Sequence, residues 1–174
     1  SVCLAGVLAG CGDGDDPVVT PAPKKAVIVM EKYVLQFAPE SAKDVGGMLK
    51  DENVGQEVTA LGIVGDIASG RASFRLVDPS VKECRSCVEF WKYTCTPAKE
   101  FQAQSVNVEF FDGGNLLRED IVNFHGLYHF ARVAIRGKLA KDGVGNYNIE
   151  ATGFFVAQPS ELNVKQTEAL KKIE

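Results

Sequence analysis

No run in this 174-residue chain approaches the roughly 18 apolar residues that a membrane-spanning helix requires. Any attachment to a membrane is therefore expected through lipid. A surplus of either charge is missing too. Nineteen Lys and Arg stand against 23 Asp and Glu, a net charge of −4. That excludes a general electrostatic pull toward nucleic acid or anionic lipid. Between residues 57 and 156 the count is 11 Lys and Arg against 12 Asp and Glu, so no basic groove is concealed in the average. Arg71 and Arg75, with Phe111 or Trp91, would make at most a local stacking patch, and nucleic acid is not expected as a partner. The chain has no Gly-rich phosphate loop, no Gly-x-Ser-x-Gly elbow and no motif that sets an acid/base pair. The expectation is a protein that binds rather than catalyses.

What is present begins at the N-terminal end. Residues 1–10 are small and apolar and carry no charge, like the back half of a signal-peptide apolar region. Leu8-Ala9-Gly10-Cys11 reads as a lipobox. Small residues fit an extended chain into a narrow peptidase site, and the Cys11 thiol accepts diacylglycerol. Several acyl chains are needed for stable anchoring. Gly12 follows, not Asp, which permits an outer-membrane destination. The expected location is extracytoplasmic, membrane-anchored and on the periplasmic face. Residues 11–25, rich in Gly, Asp and Pro, read as a lipidated cysteine and its tether, about 40 Å long at about 3.1 Å per residue.

Residues 26–158 carry the periodicity of a folded domain. Ala26–Phe37 is strand-like. Pro39-Glu40-Ser41 signals a short helix, with Ser41 and Asp44 as a weak capping pair and Val45, Met48 and Leu49 on one face. The period then switches to two. Strands are expected over Val58–Ile67, Arg71–Asp78, Ser105–Phe111, Phe130–Ala140 and Tyr147–Val156. Ala68-Ser69-Gly70 makes the first hairpin turn, and a helical turn or loop joins strands three and four. The inward set is Ala72, Phe74, Leu76, Val106, Val108, Phe110, Val133, Ile135, Leu139, Tyr147, Ile149, Ala151 and Phe155. Two hairpins flanking a third strand follow the order of the OB-fold, a five-stranded, partly open Greek-key barrel. A small β-sandwich is the rival. The whole is expected to be mainly β: an OB-like barrel with a short helix before it, a Cys-rich insertion between strands two and three, and a C-terminal helix over 159–174 capped by Ser160.

That insertion, Asp78–Pro97, holds every cysteine downstream of Cys11. It has little apolar material of its own and needs a staple. Cys84-x-x-Cys87 with Cys95 offers three thiolates for zinc, and His125 or His129 offers a fourth ligand. A disulfide suits an exported protein and leaves one cysteine over. A redox-active Cys84–Cys87 pair is the third option, without the usual βαβ setting. Covalent haem attachment requires His directly after the second Cys, where Val88 stands. His125 and His129 would share a helix face only if residues 121–129 are helical; otherwise they are polar loop residues. Phe90, Trp91 and Tyr93 concentrate aromatics as interfaces do, or else pack the loop onto the barrel.

Asp78-Pro79-Ser80, the spacing Cys87-x-x-x-Trp91-x-Tyr93-x-Cys95, and the ending Gly137-Lys138-Leu139-Ala140-Lys141-Asp142-Gly143 through Asn146 and Ala151–Val156 resemble a group of exported proteins of planctomycete-type bacteria. The resemblance covers roughly residues 57–156 and implies the fold and the compartment, with no activity to transfer. Val88-Glu89-Phe90 departs from the group's Pro-Thr-Pro, and Thr94 stands where its cysteine follows the tyrosine. The functional expectation is a membrane-anchored lipoprotein whose domain contacts another envelope protein. The alternative is metal or haem handling through Cys84, Cys87 and Cys95, by analogy with OB-fold haem chaperones. Those use a histidine near the C-terminus, and this chain has none after His129.

Overall fold

Alternating β-branched and aromatic residues dictate strands here, and a computed structural model, describing residues 29–83 and 87–160, shows how they close. In chain order the strands are β1 Lys43–Asp44, β2 Glu57–Ile67, β3 Ser73–Val77, β4 Ser105–Asp112, β5 Asn115–Leu116, β6 Arg132–Lys141 and β7 Tyr147–Gln158. Two short helices, α1 Val45–Met48 and α2 Ala98–Ala103, precede β2 and β4. Five strands run in the order β2-β3-β4-β7-β6, and β6 pairs back onto β2 to close the barrel. The β4–β7 pairing is parallel; the other barrel pairings are antiparallel. This is the OB-type barrel, with β1 and β5 as short additions. Closure removes the free sheet edges that would otherwise invite aggregation.

The barrel interior is filled by side chains that the period-two pattern places inward. Val64, Leu76, Val106, Val108, Phe110, Val133, Ile135, Leu139 and Ile149 are inaccessible to solvent. Phe110 meets Tyr33 edge-on at 5.1 Å and Phe154 at 5.8 Å, contacts that add about 0.5–1.5 kcal/mol each beyond burial. Val45 and Met48 of α1 join the same core, as do Met30 and Tyr33.

Several expectations are corrected by packing. The described part of Ala26–Phe37 is not a strand: residues 29–31 are helical, and only Val34 bridges to β7, at Phe154. Ser41 sits in the left-handed region (φ 59°), and Asp44 occupies the cap position of α1 without a side-chain bond, so the Ser41/Asp44 capping pair does not form. Phe130 (φ 67°) precedes β6 rather than opening it. In β7, Gly137 pairs with Ala151 but Arg136 pairs with Gly153, so Thr152 is the extra residue of a bulge. That bulge reverses the parity of everything after it. Phe154, not Phe155, therefore enters the core. The proposed helix beyond Ser160, the tether, the residues before it and Cys11 lie outside the described residues.

Candidate functional site: the cysteine loop and its aromatic shelf

The loop between β3 and β4 begins with a polar knot. Asp78 is buried yet charged, and its carboxylate accepts from Gly46 N–H at 2.8 Å, Ser80 N–H at 2.9 Å and the Ser80 hydroxyl at 2.6 Å. An aspartate followed by Pro naturally caps its own turn in this way. Burial works against the charge, but the bonds from Ser80 and Gly46 prevail and hold the Asp78 carboxyl below its ordinary range. The loop's two ends are tied by Asp78 N–H donating to Gln104 O at 2.8 Å.

Beyond the knot a small second core forms outside the barrel. Val77, Val81 and Tyr93 are buried, with Phe101 of α2 and Phe130 packed against them. This explains why Val77, on the outer face of β3, is covered. A 3-10 turn, Phe90–Lys92, ends at Tyr93 in the left-handed conformation (φ 52°). The reversal sends the Tyr93 ring inward while Phe90 and Trp91 stay half-exposed. Burial pushes the Tyr93 phenol up to about 12, with the charge of Glu83 adding to it. Tyr93 is thus an anchor of the loop and Phe90 and Trp91 are its surface.

Those two rings are held by the barrel. Phe90 stacks on Phe130 at 5.0 Å and Trp91 on His129 at 4.7 Å, both at 14° between planes. His129 Nδ1 lies 2.6 Å from Gly65 O, so Nδ1 carries the proton and donates. Gly65 matters because a Cβ there would come within 3.2 Å of Trp91 O and 3.1 Å of Val77; the bare backbone lets the loop settle onto β2. Val88, at the tip, is 91% exposed. Burial lowers the pKa of the Arg75 guanidinium, against the opposing effect of the Asp66 charge.

The sulfurs come next. Cys95 is disulfide-bonded. Cys87 Sγ lies 2.9 Å from Cys95 Sγ, with the Thr94 hydroxyl 3.8 Å from the same Cys87 sulfur. Cys84 lies outside the described residues. The two histidines are not on one helical face, because Asn123 and His125 adopt left-handed conformations (φ 67° and 47°). His125 Nε2 pairs with the Glu31 carboxylate at 2.9 Å, whereas His129 serves the Trp91 stack. Among the described residues no three His, Cys, Asp or Glu side chains converge as a ligand set. Sequence reasoning missed the roles of Asp78, His129 and Phe130. Asp-Pro-Ser carried a turn signal for the first; nothing local marks the other two, whose partners are about 40 residues away.

No family model and no curated protein matches the chain. Among solved structures, similar folds include a putative aspartyl-tRNA synthetase from Leishmania major Friedlin (12% identity, TM-score 0.44), over 76% of this chain and 26% of that one. The chain thus spans about a quarter of the synthetase. An OBody bound to hen egg-white lysozyme matches at 13% identity and TM-score 0.42, over 72% of this chain and 100% of the OBody. Schizosaccharomyces pombe Pot1pC bound to single-stranded DNA matches at 11% and 0.40, over 72% and 96%. At these identities the likeness is one of fold.

Proposed function

We propose that this protein is a membrane-anchored lipoprotein whose OB-type domain is a non-enzymatic binding module for another protein of the cell envelope. The observation that carries the reading is the aromatic shelf. Phe90 and Trp91 are half-exposed and pinned in place by Phe130 and His129. A rigid aromatic pair loses little side-chain freedom on contact, which is what protein interfaces select. The near-neutral charge of the domain argues against a phosphate backbone as the ligand. The lipid anchor at Cys11 rests on the lipobox pattern alone.

Zinc on Cys84, Cys87 and Cys95 is the competing reading of the loop, and it requires Cys95 as a thiolate. The disulfide at Cys95 favours a covalent staple instead.

Two experiments test the proposal. A photo-crosslinking residue placed at Val88 or Trp91, in cells of the producing bacterium, should yield one discrete protein adduct that is absent when the probe sits at Val144. Adducts at none of the loop positions refute the shelf as a contact surface. Separately, Cys11→Ala should abolish acyl mass and membrane fractionation; unchanged fractionation refutes the anchor.

A further inference from the structure

We infer that the aromatic shelf takes an acidic residue of its protein partner, an Asp or Glu whose carboxylate pairs with Arg75 while an adjacent apolar residue lies on Trp91. The inference rests on reading the shelf as a contact surface, and it adds the chemistry of what is contacted. Arg75 is on the outer face of β3, because Phe74 and Leu76 on either side of it enter the core. It is half-buried, so its guanidinium has given up part of its hydration. A charge in that position is ordinarily matched by a carboxylate. Among the described residues, none makes a hydrogen bond or ion pair with this guanidinium. Asp66 is exposed, and its charge reaches Arg75 without closing an ion pair. Glu89, in the loop, is engaged by Lys92 at 2.9 Å.

One glycine fixes the cation against the shelf. Gly65 O accepts from His129, the ring stacked on Trp91, and a Cβ on Gly65 would lie 3.2 Å from Trp91 O and 3.3 Å from Arg75 O. Arg75 and Trp91 therefore flank the same residue of β2, and neighbouring side chains of one bound segment can meet both. The same face limits how much negative charge it accepts. Asn107 of β4 and Asn148 of β7 continue the row from Arg75 across the sheet, and both are neutral. The next row, Glu109–Glu150–Lys138–Glu57, sets three carboxylates around one ammonium. A phosphate chain laid across the face would meet those carboxylates. A single carboxylate at Arg75 does not, and a guanidinium fork binds it through two parallel N–H bonds.

Random linear heptapeptides displayed on phage, selected on the full chain, test this. The enriched sequences should carry Asp or Glu next to a bulky apolar residue. The best of them, synthesised without tryptophan, should shift the fluorescence of Trp91, the only tryptophan in the chain. Replacing its acid by the matching amide should weaken binding about tenfold or more, as for the loss of one charge-assisted hydrogen bond. That comparison needs no variant of the protein. Arg75→Gln should bring the same loss, and on that variant the acidic and amide peptides should bind alike. Equal affinity of the two peptides for wild type, or an acid preference that survives Arg75→Gln, overturns the proposal. So does oligo-dT that binds and shifts Trp91 fluorescence. Apolar peptides without an acid, whose capture Trp91→Ala abolishes, overturn the proposal and leave the shelf standing as a contact surface. No enrichment, or enrichment indifferent to Trp91→Ala, overturns both.

Discussion

Replacing Asp78 should loosen the cysteine loop and α1 together, because one carboxylate serves both. It accepts from Gly46 at the start of α1 and from Ser80 in the loop turn. A hydrogen bond to a charged group contributes about 1.5–3 kcal/mol, and three on one carboxylate are not additive. Asp78→Ala leaves the Gly46 and Ser80 N–H groups without their acceptor, and water recovers part of the loss. The expected cost is therefore about 2–4 kcal/mol, or a fall in Tm of roughly 6–15 °C for a domain of this size. Asp78→Asn keeps the volume and one carbonyl oxygen but turns an N–H₂ toward Gly46 N–H, so about half the cost is expected. The pH dependence follows from the lowered pKa of the folded carboxyl. Its stabilisation is fully present above the unfolded value of about 3.9 and is lost as pH falls through the lower folded value. Urea denaturation of wild type and Asp78→Asn at neutral pH and again below about pH 3 measures the difference. The gap should shrink in acid. A gap that is the same at both pH values, or an alanine cost below about 0.5 kcal/mol, refutes the role given to the knot.

Two further perturbations separate barrel from loop. At Gly137 a Cβ would stand 2.4 Å from Glu150 O and 2.8 Å from the Ala151 Cα, both rigid backbone beside the bulge. Gly137→Ala should cost about 2–3 kcal/mol in chemical denaturation, while Gly143→Ala, with open space around it, should lie within about 0.5 kcal/mol of wild type. Equal effects at the two glycines would contradict the close approach of β6 and β7. In an alkaline absorbance titration Tyr93 should ionise near about 12, well after an ordinary tyrosine, and Tyr93→Phe should remove that late step. Because the folded value is raised, the stabilisation is complete below about pH 10 and disappears as pH climbs toward that value.

The fold was largely legible because period-two alternation is local. Val106-Val108-Phe110 and Val133-Ile135 each declare a face within five residues, and both sets are inaccessible in the barrel. Strand order followed from turns and spacing, and the OB-type arrangement emerged from it. The residues that pattern misplaced sit where backbone parity or chain packing intervenes. Phe155 yields to Phe154 because a bulge at Thr152 depends on Gly137 in another strand. The segment around residues 29–34 looks like a strand, yet it packs Met30 and Tyr33 into the core through a helical turn and a single bridge.

The candidate site divides the same way. The sequence by itself determined that aromatics and cysteines concentrate in one insertion, and that Asp-Pro-Ser opens it with a turn. Which ring anchors and which is offered was decided only by tertiary structure, through the left-handed Tyr93 and its burial against Val77 and Val81. The partners of Phe90 and Trp91, Phe130 and His129, come from the far end of the β4–β6 connection. No local rule connects residues so distant in the chain. Their meeting depends on barrel closure, which sets residues 128–131 against β2 at Val64 and Gly65. Spacing alone made Cys84–Cys87 the conspicuous pair. Folding of the intervening turn is what brings Cys87 to Cys95.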